Sequence, residues 1–359
     1  ENQALIEVLK GNTAGTLKIK DNNRQYVSQG IQSALKTSYK ALGADHELEF
    51  GLRIHDDYED RFQKEDTYSI SGSQITLTSA GSYGDANKSN RVASSRAYAT
   101  YIENAMKFGD LTVTPGARFE KIKLKRRDYG SVDPSRAGQP TSVINEENVF
   151  LPGIGVSYKL DRDNVIFASV HEGFAPPAAG TIANPEESVN YEIGYRKKGY
   201  NKLFFESTIY AVDYQNLLGD DTESSGGAGN GDQFNGGEVF AYGLELTSGY
   251  RFKGNLLGKA MKFPVFLSYN FNDAEFRSSF NSELDIWGDV NKGDKLPYIA
   301  RHQAALNVGA EFDKIAINLS TKYVDAMRTT ASRGEIAKNN KIPSHFVADA
   351  SVFFEPIEG

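Results

Sequence analysis

The chain has 359 residues, enough for one large domain, with 39% hydrophobic residues and a formal charge of -7. The acidic balance argues against a nucleic-acid partner, because affinity there rests on basic surface. The absence of cysteine excludes a disulfide framework, a thiol nucleophile and a thiolate metal site.

Mean hydropathy is -0.48, and no stretch approaches the ~18 consecutive apolar residues of a membrane-spanning helix. That leaves a spanning β-barrel open, since each of its strands shows lipid only every second side chain. Tyr (19) and Phe (21) far outnumber Trp (1) and Met (3), and 34 glycines are spread along the chain, a balance that favours a barrel. The first residues, Glu1, Asn2 and Gln3, carry no signal peptide, so a mature or truncated chain is expected.

In chain order, one strand is predicted before Asn23 and a second near 26–39. The third, near 46–56, shows the governing pattern: Leu48, Phe50, Leu52 and Ile54 on one parity, Glu47, Glu49, Gly51 and Arg53 on the other. A period of two places each set on one face of a strand. Strands near 95–106 and 111–123 follow. In 149–160, Phe150, Ile154, Val156, Tyr158 and Leu160 oppose Gly153, Gly155 and Ser157. After a strand near 164–171, Val189, Tyr191, Ile193 and Tyr195 oppose Asn190, Glu192, Gly194 and Arg196. Strands near 202–214, 239–252, 263–272, 298–312, 314–324 and 345–354 complete a set of about fourteen. No helical linker or second domain is predicted.

A soluble sandwich also alternates, so length and connections must decide. Most runs exceed the five or six residues of an ordinary strand and match the ~9–11 needed to span a bilayer. Short connections at 43–45, 108–110, 161–164, 198–201 and 312–314 alternate with long ones at 56–94, 125–147, 172–188, 215–237, 273–297 and 325–343. Short turns at one end and long loops at the other are how an outer-membrane barrel is built. The glycine-rich run 224–237 reads as a flexible loop tip. The predicted fold is all-β: a transmembrane, antiparallel, up-and-down β-barrel.

Several segments then resemble TonB-dependent outer-membrane receptors. These are RAYATYIENAMKFGDLTVTPGARFEKI (96–122), VIFASVHEGFAPP (165–177), NPEESVNYEIGYR (184–196), LPYIARHQAALNVG (296–309) and HFVADASVFFEP (345–356). NNRQYVSQGIQ (22–32) and HELEFGLRIHDDYEDRFQ (46–63) look most like the ferric dicitrate and siderophore branch. The resemblance implies a barrel of about 22 strands, of which about fourteen are present. It also implies an N-terminal plug and a TonB box. Neither is seen, so residues 1–359 are expected to be part of one barrel domain without its plug or last strands. The alternative is a closed fourteen-stranded barrel.

The implied function is a non-enzymatic transporter in the outer membrane of a Gram-negative bacterium. It would import a ferric siderophore or ferric citrate with TonB acting through the missing plug. Contact with outer-membrane lipid, no resident cofactor and a monomeric state are expected. A plug-less passive channel, or a receptor for a non-iron ligand, is the alternative. Haem uptake is disfavoured, because positions 174–177 and 184–187 depart from the haem-receptor pattern and no histidine lies between them.

Anionic chelates point to arginine, which grips carboxylates bidentately. Arg118, Arg196, Arg251 and Arg301 fall on the inward parity. Arg91 and Arg96 lie where the first long loop re-enters the barrel. The candidate ligand-binding set is Arg91, Arg96, Arg118, Arg301, Gln303 and Trp287. Lumenal arginines can instead pair with carboxylates such as Glu120 or Glu192, and Trp287, with Phe276 and Phe280, can instead pack its loop. The acidic run from His55 to Asp60 is expected to be a solvated loop rather than a calcium site. No metal ligands are assigned.

Overall fold

The computed structural model describes residues 2–85, 90–131, 133–199, 203–220, 233–256, 258–282 and 287–355. A short helix, α1 (Asn2–Leu9), leads into β1 (Gly15–Asp21). Then come β2 (Arg24–Ala41), β3 (Ala44–Phe62), β4 (Lys64–Ser71), β5 (Gln74–Ser79), β6 (Asn90–Phe108), β7 (Leu111–Asp128) and β8 (Thr141–Lys159). These are followed by β9 (Asn164–Ala175), β10 (Glu186–Lys198), β11 (Leu203–Gln215), β12 (Leu218–Asp220), β13 (Gln233–Asn235), β14 (Val239–Leu256) and β15 (Lys259–Phe276). The chain continues through β16 (Phe280–Asn281), β17 (Asp289–Val290), β18 (His302–Phe312), β19 (Ile315–Val324), β20 (Met327–Arg328), β21 (Lys341–Ile342) and β22 (His345–Phe354).

Thirteen of these strands form one antiparallel sheet in the order β2-β3-β6-β7-β8-β9-β10-β11-β14-β15-β18-β19-β22. Each long strand pairs with the next long strand in the chain, which is the up-and-down barrel order. Among the described residues β2 and β22 do not pair with one another, so the wall is open. The strand expected before Asn23 is real, but it is not a fourteenth member of the wall. β1 pairs with β4, and β4 with β5, in a separate three-stranded sheet beyond the end of β3. The helix α1 was also not anticipated.

The short connections are tight because their residues accept left-handed backbone. Between β2 and β3, Leu42 (φ 50°) and Gly43 (φ 78°) make a two-residue turn whose twist matches that of the flanking strands. Gly109 (φ 61°) and Asp313 (φ 46°) serve the β6–β7 and β18–β19 turns. The predicted turn 198–201 and loop tip 224–237 lie partly outside the described residues.

Register decides which residues share a face. The row Phe50, Ile102, Ala117, Pro152 runs across four strands, and Val170, Tyr191, Ala211, Tyr242 across four more. Leu267, Leu306, Thr321 and Ala348 carry the same face to the far edge. This apolar face is not buried: Ile193 is 60% exposed, Phe150 61% and Val352 68%. A sandwich would cover those side chains with a second sheet, and among the described residues none covers them. The dry core lies instead at the long-loop end, where Val239, Ala274, Phe276 and Val290 are buried against Phe280, Trp287, Leu296 and Ile299.

The strands on the β3–β8 side run longer than predicted, chiefly toward the long loops. β3 ends at Phe62 rather than near 56, and β8 begins at Thr141 rather than near 149. The acidic run is accordingly strand, not loop, with Asp56 and Asp60 on one face and Asp57 and Glu59 on the other. Conversely, β18 starts at His302 rather than 298, because Tyr298 (φ 59°) breaks the extended backbone after Pro297.

Candidate functional site

The polar face contains a hollow of 680 Å³ over β6–β9, reached also by side chains of β2 and β3. Its floor is made of glycines: Gly116 on β7 and Gly153 and Gly155 on β8 leave the strand surface bare. A Cβ at Gly155 would meet nothing within 4 Å, so the hollow opens directly above it. Around the floor stand Gln32, Arg53, Tyr101, Glu103, Arg118 and His171. Every one of these is on the parity opposite to the exposed apolar face.

Several charges of this wall are paired. Arg118 donates from Nε to Glu120 on its own strand. Tyr101 donates to Glu49 at 2.7 Å, and Lys36 pairs with the other oxygen of Glu49 at 2.7 Å. Lower on the wall, Arg196 holds Glu206 through two hydrogen bonds of 2.6 and 2.7 Å, with its guanidinium 5.4 Å from the Phe167 ring centroid. Glu206, rather than Glu192, is therefore its partner. The Arg53 side chain is exposed and makes no hydrogen bond or ion pair with any described residue. The hollow sets one paired and one unpaired guanidinium, a phenol, an imidazole and an amide around the carboxylate of Glu103, and Arg53 is the guanidinium left to meet an anion through charge-assisted hydrogen bonds.

The predicted residues are dispersed. Arg118 lines the hollow. Gln303 faces the same lumenal side, opposite Asn270, but several strands away. Arg91 is buried at the long-loop end, opposite Arg61 and Asp128. Two placements are corrected. Arg96 shares the face of Tyr98 and Ile102 and pairs outward with Asp56 at 2.6 Å. Arg301, inward by simple alternation, turns its guanidinium over the Phe271 ring at 5.6 Å and to Asp273 at 3.4 Å, both on the apolar parity. The irregular backbone at 297–301 breaks the alternation that the inward assignment relied on.

Trp287 lies edge-on to Phe276 at 5.5 Å and to Phe234 at 6.1 Å, which packs its loop onto the mouth of the wall. Arg53, Gln32 and Tyr101 were missed as site residues. Only the cross-strand register, which a single strand does not contain, brings them to Arg118.

Comparison with known proteins agrees with this architecture. Residues 7–357 match the family model described as TonB dependent receptor-like, beta-barrel. A stretch of 133 residues, 33% of this chain and 15% of the relative, is 32% identical to the ferric-pyoverdine BN7/BN8 receptor of Pseudomonas putida. The unliganded ferric citrate transporter FecA superposes with a TM-score of 0.68 at 20% identity, over 96% of this chain and 50% of that one. The siderophore receptor PiuA of Acinetobacter baumannii gives 0.68 at 14% identity, over 95% and 50%. The chain thus spans about half the length of these solved structures, and at such identities they attest the fold alone. With nearly its whole length matched by the family model, the chain belongs to the TonB-dependent receptor-like β-barrel family.

Proposed function

We propose that this wall is the barrel of an outer-membrane receptor that imports a ferric chelate, of the citrate or siderophore class, with TonB acting through a plug. The observation that carries the reading is the polar hollow with Arg53 and Arg118 on the side opposite the lipid-type face. Ferric complexes of carboxylate or catecholate ligands are anionic, and a guanidinium without an internal partner is available to meet them. The P. putida relative and the superposed transporters bear names for ferric-pyoverdine, ferric citrate and siderophore, which supports the iron assignment.

Loops and lumen would capture a chelate too large and too scarce for diffusion through a porin. Nothing in the hollow needs to break a bond. The test is uptake of radiolabelled ferric citrate and ferric siderophores by iron-starved cells lacking the gene and complemented with its full-length form. Complementation by an Arg53→Gln form should raise the half-saturating concentration about tenfold, the scale of one charge-assisted hydrogen bond. If deletion of the gene leaves uptake of every ferric chelate unchanged, the iron assignment is wrong.

A further inference from the structure

The wall is split between β8 and β9. Their pairing ends at Gly153 and His171, although β8 reaches up to Thr141 and β9 runs on to Ala175. A proline is the cause. Leu160 N–H donates to Asn164 O at 2.9 Å, and bonded pairs recur at every second residue of an antiparallel ladder, so the even-numbered residues of β8 aim their N–H groups at β9. Residue 152 is proline and has no N–H to offer Glu172, its next partner in register. The odd-numbered residues face β7, and that pairing continues to Thr141.

The split is a window rather than a frayed edge. Above it the β9–β10 loop crosses back to β8: Gly180 N–H donates to Asn145 Oδ1, and Asn145 Nδ2 donates to the Thr181 carbonyl, both at 3.2 Å. The space between holds 300 Å³. Leu151 and Glu172 line both this window and the lumenal hollow, so the two spaces meet. Phe150, Phe174 and Val189, all on the outward parity, flank it on the other side. The six residue steps from Tyr158 to Pro152 cover about 20 Å along the strand, or about 15 Å of height at a tilt near 40°. The sill of the window therefore lies within the ~25 Å apolar band of a barrel, in its upper part.

We propose that the window passes the hydrocarbon tail of an amphiphilic ferric chelate, whose iron-binding head sits in the hollow beside Arg53 and whose acyl chain leaves sideways onto the apolar face of the wall. A chelate without a tail needs no break in the wall, and ladder groups left open beside hydrocarbon are unfavourable unless they line a passage. Glu147, Glu172, Glu187 and Asp213 also line the window, the last three on the outward parity. Their carboxylates repel the phosphates of surrounding lipid headgroups, whereas a tail tethered to a head in the hollow enters without bringing a phosphate. The inference rests on the outer-membrane, ferric-chelate reading.

The test uses the full-length protein in lipid nanodiscs and paired chelators that differ only in carrying a dodecanoyl or an acetyl group, in citrate-hydroxamate and catecholate versions loaded with radiolabelled iron. The dodecanoyl form should bind about tenfold more tightly than its acetyl partner, the gain from burying roughly two methylene groups. Val189→Trp fills the outer end of the window and does not line the hollow. It should keep the native affinity for the acetyl form and lose the advantage of the tail. An advantage that survives in this variant is partitioning of the tail into the bilayer and overturns the proposal, as does equal affinity of the two forms for the native protein. Folding is checked by heat-modifiable electrophoretic mobility. A second measurement needs no variant: a diazirine on the chain close to the head should label residues 148–151 and 172–174, and labelling confined to other strands overturns the proposal equally. If no chelate binds in either form, the ferric-chelate reading itself falls, a result distinct from acetyl forms that bind without any gain from the tail.

Discussion

Gly155 shows what a missing side chain does. It has no special backbone conformation, yet the space above it is the floor of the lumenal hollow. A large residue there would stand in the hollow without displacing its neighbours. Gly155→Trp is expected to leave the barrel folded and at native abundance while lowering chelate uptake by about tenfold or more, as expected when a binding cavity is filled. Uptake assays beside heat-modifiable mobility would check it, and native uptake would show that the hollow is not on the ligand's path. At Gly153, by contrast, a Cβ would come 2.9 Å from the Cβ of His171, so loss of function there would not separate filling from misfolding. The sequence displayed both glycines on the polar parity; it did not display the void they leave. Arg118 was legible because it sits within a clean alternation, whereas Arg96 and Arg301 were misplaced because they sit where alternation changes or stops.

Elements follow local rules until they leave the sheet. The loop between β7 and β8 is organised by Asp133, whose carboxylate accepts backbone N–H groups from Gly138 at 2.9 Å and Ala137 at 3.0 Å. These bonds, with Gly138 the larger influence, hold its carboxyl below the usual carboxylate range. Arg136 then ties the loop to β3 by a bidentate pair with Asp60 at 2.7 and 2.9 Å, its guanidinium 4.6 Å from the Phe62 ring centroid. A carboxyl depressed in the folded state contributes stability that is fully present above its unfolded pKa, about 4, and is lost as pH falls through the lower folded value. The protection factors of the amides at 137 and 138, taken relative to the intrinsic exchange rate at each pH, are therefore expected to hold at neutral pH and to fall below about pH 4, and Asp133→Asn should flatten that dependence. Hydrogen–deuterium exchange across that range checks this; protection that ignores pH in the native protein would remove Asp133 from its role. The sequence placed a loop here, at 125–147 against the observed 129–140, but could not show its internal bonding, which depends on turns too local for any period.

Along the middle of its strands the wall has one face apolar and exposed and the other polar. Ile193 sits mid-strand between Ala168 and Ile209, 60% exposed. In a water-soluble sheet Ile193→Arg would be harmless. In a bilayer it is expected to destabilise the barrel by about 2–4 kcal/mol, measured by denaturant unfolding in liposomes. A change near zero would remove lipid from that face. The sequence by itself determined the long strands of the wall, their two-residue period, the short-turn and long-loop ends and the family, because side-chain alternation and turn chemistry are local properties of the chain; the short strands β4, β5, β12, β13, β16, β17, β20 and β21 lie in segments it read as loops. Only the tertiary structure decided that thirteen strands share the wall, that β1 belongs elsewhere, and that β8 and β9 part above Gly153 and His171. Those facts depend on register, and register is a relation between strands far apart in sequence.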